Sequence, residues 1–333
     1  MSGNPYFTGP FAPKCEEFVV QKRASGLCYG QQAMLLRMFD NFCKSYQILN
    51  YSITKEVAIA WCQKRPNEKD PTRYSRIGEM QRFAQYLCKQ GYPSYLLPGL
   101  PKRGENHLPY IFTKDELCAI FGRLDSLIPT NTSPNRHLVM PLLFRMLYGC
   151  GLRISEALSL LISDVDMDKG VLHIRHGKDD HERLIPMSDS LIVECIKYIA
   201  GAHQGTSNST PFFYTKARDF YSKSAIEKFF RSILWDVGIP YRGKEFGPRV
   251  HNLRHTFSCH NIQKWAEMGL PIYSNLLILS RYLGHTSISA TQWYLHLTAQ
   301  VFPHIRSICE MALGGMYVPF DLQAENGGFY CDK

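Results

Sequence analysis

Residues 248–294 read PRVHNLRHTFSCHNIQKWAEMGLPIYSNLLILSRYLGHTSISATQWY. This stretch holds His251, Arg254, His285 and Tyr294, the tyrosine lying nine residues past His285 in the run Leu283-Gly284-His285. Arginine, histidine and tyrosine are the side chains that phosphodiester chemistry would draw together. A guanidinium presents a planar fork of donors matched to phosphate oxygens. An imidazole moves a proton near neutral pH. A phenol, with an ordinary pKa of about 10, needs cationic neighbours or a base before it attacks phosphorus.

Upstream of this stretch, helices are expected at about 189–203 and 223–237, separated by the polar loop 205–210 and a strand-like Phe212-Phe213-Tyr214. Val171–Arg175 and Arg183–Pro186 predict two strands joined through residues 176–181, with Lys178 at or near the tip of the hairpin. Thr113 with Glu116 three residues on forms a capping-box pattern that opens a helix to about Leu127. The helix expected from about Asn135 to Tyr148 is apolar nearly all round and so belongs at the centre of a core. Gly149-Cys150-Gly151 interrupts it. The chain resumes as Leu152-Arg153-Ile154-Ser155-Glu156-Ala157-Leu158, with Arg153 at the restart. Taken alone, Lys178 is an ordinary solvated charge and Arg153 an ordinary ion-pair partner of Glu156.

The 333 residues suit two domains better than one core. Residues 91–110 (GYPSYLLPGLPKRGENHLPY) hold four prolines and three glycines and make the best linker in the chain. The expected order is an arm over residues 1–14, a helical domain over 15–92, a linker over 93–110, a larger domain over 111–300, and a terminal helix with a tail over 301–333. In the helical domain, Leu35, Met38, Phe39, Phe42 and Tyr46 recur at helical spacing. Thr54 caps a short helix, and Asp70-Pro71 opens one running to about Lys89. Arg73, Arg76 and Arg82 on that last helix suit a basic unit that clamps DNA, with a solvated outer face as the alternative.

The net charge of +9 favours a polyanionic partner, nucleic acid before an anionic membrane surface. It is uneven: residues 1–100 carry 13 Lys and Arg against 7 Asp and Glu. The eleven cysteines are scattered, with no Cys-x-x-Cys spacing for zinc. Cys43, Cys62, Cys88, Cys118 and Cys195 lie among apolar neighbours and read as buried thiols of a reducing compartment. Neither a signal peptide nor an 18-residue apolar run is present, so a soluble, cytoplasmic protein is expected. With no Gly-x-x-x-x-Gly-Lys-Ser/Thr loop, no nucleotide cofactor is expected.

The order of the separate features is more telling than any one of them. Arg153 in GLRISEAL, Lys178 in a β-hairpin, His251-Asn252-Leu253-Arg254-His255-Thr256, Leu283-Gly284-His285 and Tyr294 resemble, block by block, the tyrosine recombinase (phage-type integrase) family. The motifs cover roughly residues 113–297, and the N-terminal helical unit is similar in kind to the family's core-binding domain. The resemblance implies a mainly α fold with a small antiparallel β element, in two domains that close as a C-shaped clamp on double-stranded DNA. It implies that Tyr294 forms a covalent 3′-phosphotyrosyl link and that Arg153 and Arg254 hold the phosphate. Lys178 would protonate the 5′-oxygen, His251 would serve the tyrosine as base or relay, and His285 would bond the phosphate. It also implies a homo-oligomer on DNA, four subunits at synapsis, with a terminal helix at 301–313 docked on a neighbour and accessory proteins possible. Metal and cofactor have no part in this chemistry.

Two departures stand out. Asp179-Asp180 follows Lys178 directly, which would raise the lysine pKa, and the segment between Arg254 and His285 is long, with extra residues around 267–280. Three rival readings remain open at this level. His251, His255 and Cys259, spaced by four, would align on a helix as metal ligands. The same fold without turnover would be a DNA-binding architectural protein, and a type IB topoisomerase would share the chemistry. Among recombinases, one belonging to a mobile element is expected before a chromosome-dimer-resolving one.

Overall fold

A computed structural model describes residues 7–102, 108–175, 182–203, 205–215, 217, 219–243, 247–285 and 287–312. The chain divides into two compact units, Met1–Asn106 and His107–Lys333.

The first unit is helical. It comprises α1 (Ala12–Ala24), α2 (Gly30–Phe42), α3 (Lys55–Cys62) and α4 (Asp70–Lys89). Phe11, Phe18, Phe39, Phe83 and Trp61 fill its core, with Phe11 stacked on Phe39 at 5.9 Å and Trp61 edge-on to Phe39 at 5.2 Å. Helix α1 begins at Ala12, inside the stretch expected as an arm. The reason is that Phe7 and Phe11 are buried, and the Asp40 carboxylate accepts the backbone N–H of Thr8, Gly9 and Phe11, pinning this strand of chain to α2. As expected, Thr54 caps α3, its hydroxyl accepting from Val57 N.

The arginines of α4 do not share one face: Arg82 is exposed, Arg73 half-buried and Arg76 enclosed. Arg76 is 1% exposed; its guanidinium pairs with Glu68 at 2.7 Å, bonds the carbonyls of Trp61 and Gln63, and lies over the Trp61 ring. Arg73 bonds the Cys62 carbonyl and Arg82 pairs with buried Glu79. The Glu68 carboxylate and the carbonyls of Trp61 and Gln63, which helical periodicity does not reveal, hold Arg76 inward.

The second unit opens with α5 (Lys114–Asp125), which carries both bonds of the expected Thr113–Glu116 capping box. Helix α6 (Arg136–Gly149) buries Val139, Met140, Leu142, Leu143, Phe144, Met146 and Leu147, as a helix apolar nearly all round must. After the short α7 (Ile154–Ser159) come β1 (Val165–Asp166), β2 (Val171–Ile174) and β3 (Arg183–Pro186). They form one antiparallel sheet in the order β1-β2-β3, with Val165 opposite Leu172 and Leu172 opposite Ile185. Strand β1 was not foreseen, because two residues carry no periodicity. Then follow α8 (Asp189–Ala202), α9 (Lys223–Asp236), α10 (His251–Glu267), α11 (Ile272–Leu283), α12 (Ser289–Val301) and α13 (Arg306–Ala312).

The unusually long stretch 267–280 forms the turn through Gly269 and most of α11. That helix buries Ile272, Leu276, Leu279 and Leu283 and exposes Tyr273, Leu277 and Ile278. Ile305 and Cys309, within the terminal helix expected over 301–313, are buried in the same cluster as residues of α10, α11 and α12. Of the cysteines expected in the interior, Cys43 and Cys195 are buried, Cys62 and Cys88 half-buried, and Cys118 exposed. Among the described residues, no helix is long and apolar enough to cross a membrane.

Candidate active site

Glu156 is the hub. It sits at the third position of α7, and its carboxylate accepts the Arg153 backbone N–H at 2.9 Å. It also receives the Arg153 Nη1 at 2.8 Å and both Nη atoms of Arg183 from β3, at 2.9 and 2.8 Å. Arg254 of α10 stands 3.9 Å from the same carboxylate. Burial alone would raise this carboxyl, but Arg183, Arg153 and Arg254 override it and hold the group down at about 2. The four groups together carry a surplus of two positive charges.

The second support is the end of α11. Gly284 closes that helix in the left-handed conformation, φ +66°, which glycine adopts without steric cost. Three successive carbonyls there each accept from a different arginine: Tyr282 O from Arg183 Nε at 3.0 Å, Leu283 O from Arg254 Nη2 at 2.6 Å, and Gly284 O from Arg153 Nη2 at 3.4 Å. A helix C-terminus carries partial negative charge and so favours cations. Arg254 is 1% exposed; burial first, then Arg153, pushes its guanidinium down to about 10. Its Nη1 bonds the carbonyl of Gly151, a glycine whose φ is +59° and whose Cα lies against the Phe257 ring, so that a Cβ there would come within 2.5 Å of it. The Gly149–Gly151 break is thus what brings Arg153 and Arg254 to one place.

His285 follows Gly284 directly. Arg254 Nη2 lies 3.2 Å from its Nε2, and because arginine can only donate, Nε2 is the acceptor. The imidazole proton is therefore on Nδ1, which donates to Thr291 Oγ1 at 2.7 Å.

Tyr294 projects from α12 into this setting and is 3% exposed. Its ring is parallel to that of His285 at 6.1 Å, and its hydroxyl is hydrogen-bonded to Nδ1 of His255 at 2.9 Å. His251, one helical turn before His255, stands edge-on to it at 4.6 Å, and Trp293 packs on the other partner rings, 5.6 Å from His255 and 5.2 Å from Tyr294.

Of the residues singled out in the sequence, Arg153, Arg254, His285 and Tyr294 are brought together. His251 stands beside them against His255, and Lys178 lies outside the described residues. Sequence reasoning missed Arg183, taken only as a strand residue, and Thr291. It also missed the part played by Glu156 beyond a local ion pair, and the bond between His255 and Tyr294. Nothing but an arginine on a strand next to the lysine hairpin hinted at Arg183. The alternative metal site at His251, His255 and Cys259 finds no support: among the described residues no three of His, Cys, Asp and Glu are placed to hold an ion. The Cys259 thiol is buried, which pushes it up to about 12.

Residues 111–301 match the phage integrase family. A putative integrase/recombinase of Sinorhizobium fredii is 30% identical over 86% of this chain and 92% of its own length. The tyrosine recombinase XerA of Pyrococcus furiosus is 30% identical over 85% and 89%. Among solved structures, the fold is similar to that of XerH site-specific recombinase bound to its difH substrate, with a TM-score of 0.63 at 19% identity, covering 92% of this chain and 91% of that one. It is also similar to the Tn1549 transposon integrase in complex with circular intermediate DNA, with a TM-score of 0.59 at 17% identity, covering 84% and 94%. The chain belongs to the phage integrase family and is a DNA strand-exchange enzyme of the tyrosine recombinase type.

Proposed function

We propose that this enzyme cuts and rejoins duplex DNA at specific sites with Tyr294 as nucleophile. The observation that carries the reading is the positive surplus of Arg153, Arg183 and Arg254 around the single Glu156 carboxylate, set beside a tyrosine whose hydroxyl already has an imidazole partner. Phenolic oxygen attacks phosphorus, the 3′-phosphotyrosyl ester forms, and the 5′-oxygen leaves. Arg153 and Arg254 turn from the carbonyls at the end of α11 onto the non-bridging oxygens, where they offset the charge that grows in the transition state. His285, released from Arg254, donates to the same phosphate once protonated. Lys178 protonates the leaving 5′-oxygen, a task for an ammonium rather than a guanidinium, which is too weak an acid. His251, next to His255, extends the proton path from the tyrosine. The ester keeps the bond energy, so a second 5′-hydroxyl reverses the step with no nucleotide or metal.

Exchange between two duplexes cuts four strands, and each subunit has one Tyr294, so four subunits assemble at synapsis. The setting we infer is a mobile genetic element. The long segment at 267–280 and the Sinorhizobium relative described as a putative integrase/recombinase support it. The equal identity to XerA favours the second reading, a chromosome-resolving recombinase. The test is to incubate wild-type protein and Tyr294→Phe with fragmented genomic DNA of the source cell, then sequence what stays covalently attached. Adducts on the wild type alone, mapped by peptide analysis to Tyr294, are expected. Adducts at the ends of a mobile element support the first setting, and a single chromosomal site supports the second. Attachment through another side chain would refute the assignment of Tyr294.

A further inference from the structure

We infer that His255, the residue directly after Arg254, is the catalytic base of the cleavage step, a proposal that rests on the reading of Tyr294 as nucleophile. The hydrogen bond to the reacting oxygen is the ground for it: Nδ1 of His255 is 2.9 Å from the Tyr294 hydroxyl, within the range over which a proton is handed across. The contact is built, not incidental. His255 is 7% exposed and Tyr294 3%. The two rings lie 5.6 Å apart, with Trp293 at 5.6 Å and His251 at 4.6 Å closing the sides of the imidazole. His251 and His255 face the same way because they are four residues apart on α10. His255 reaches α12, where the tyrosine is.

A free phenol at neutral pH is ionised to only about one part in a thousand, so attack without a base would forgo most of the nucleophile. With its own proton on Nε2, His255 accepts at Nδ1. As the Tyr294 oxygen bonds to phosphorus, its O–H breaks and the proton passes to His255 Nδ1. The P–O5′ bond breaks, and the departing oxygen takes a proton from the ammonium assigned to it above. On resealing, each proton returns: the imidazolium gives its proton to the phenolic oxygen as the ester opens, and the incoming 5′-hydroxyl loses its own. The arginines cannot do this work, since guanidinium is already fully protonated. His285 is committed to Arg254 through Nε2 and to Thr291 through Nδ1.

The test uses the full chain and a nicked suicide duplex bearing the sequence recovered from the adduct experiment. Single-turnover adduct formation and equilibrium binding are measured for wild type, His255→Asn and His255→Ala. Asparagine places a carbonyl oxygen near the former Nδ1 and so keeps an acceptor for the phenol, but it cannot carry the proton away. We expect His255→Asn to form adduct on the order of 10²–10³ slower than wild type with duplex affinity unchanged. We expect His255→Ala to be as slow and to recover at least tenfold on addition of free imidazole. A merely structural role would not produce that recovery. Adduct formation by His255→Asn within about threefold of wild type would overturn the proposal, as would a slow His255→Ala that imidazole leaves slow. If the asparagine variant melts early, the imidazole response of the alanine variant decides. A wild type that forms no adduct on Tyr294 would instead remove the reading beneath it.

Discussion

Replacing Glu156 with glutamine would leave Arg153 and Arg183 facing a neutral amide and three guanidiniums with no counter-charge in their midst. Breaking a buried ion pair by removing one partner costs roughly 3–5 kcal/mol, and Glu156 is 2% exposed. The sign of the pH effect follows from the same cluster. The folded carboxyl titrates at about 2 against an ordinary 4.5. The stabilisation is therefore whole above about pH 4.5 and is lost as pH falls from there towards 2. In urea titrations, wild type is expected to lose on the order of 3 kcal/mol over that window from this group. Glu156→Gln should start lower and lack that component; identical pH profiles would show that the carboxylate is not held by the arginines. Arg254→Ala tests the other side of the hub. Adduct formation should fall by on the order of 10²–10³ while binding to duplex largely survives, because the lost interaction acts on charge that develops during the reaction. A wild-type cleavage rate would take Arg254 out of the mechanism.

The elements matter here as frames that aim carbonyls and side chains. The end of α11 is the clearest case, since Tyr282, Leu283 and Gly284 each orient one arginine. Gly284 is at φ +66°, and a Cβ added there would come 3.2 Å from the Arg183 guanidinium. Gly284→Ala should therefore cost about 1–2 kcal/mol in backbone strain and also shift the carbonyls that aim Arg153 and Arg254. Thermal melting and the adduct assay should both register it, with cleavage falling more than stability alone explains. A melting loss with cleavage unchanged would mean that the helix end supports the fold but not the site. Elements of this length were largely readable from sequence. The apolar α6, the Thr113 cap and the β2–β3 hairpin each carry a local signal, and the linear order of Arg153, Arg254, His285 and Tyr294 marked the site. Other features depend on where distant segments meet. Glu156 becomes a hub only once β3 delivers Arg183 to it. His255 meets Tyr294 only because α10 packs against α12, which nothing local in the sequence announces. Arg76 looked like a surface cation because nothing local says that Glu68, eight residues back, will enclose it.

At the scale of the whole molecule, the charge excess gains a different meaning from this account of where cations are committed. Residues 1–100 hold the larger share of the surplus, yet Arg76 is enclosed with Glu68 and Trp61, and Arg82 and Lys64 are paired with Glu79 and Asp70. An exposed pair such as Lys64–Asp70 is worth little to stability and exchanges readily for another anion, whereas the enclosed Arg76 cannot leave its partners without opening the core. Duplex binding should still be steeply salt-dependent: if six to ten phosphates are neutralised, affinity falls by roughly 10³–10⁵ between 50 and 200 mM salt. Arg76→Met separates the two kinds of cation. It should destabilise the first unit, since Glu68 is then left buried without its partner, and yet leave the slope of log affinity against log salt unchanged, because Arg76 never released a counterion from DNA. Lys64→Ala, by contrast, is expected to leave melting nearly unaltered. A slope reduced by about one unit in Arg76→Met would mean that this guanidinium leaves the core to meet a phosphate, and that the interior of the first unit rearranges on DNA.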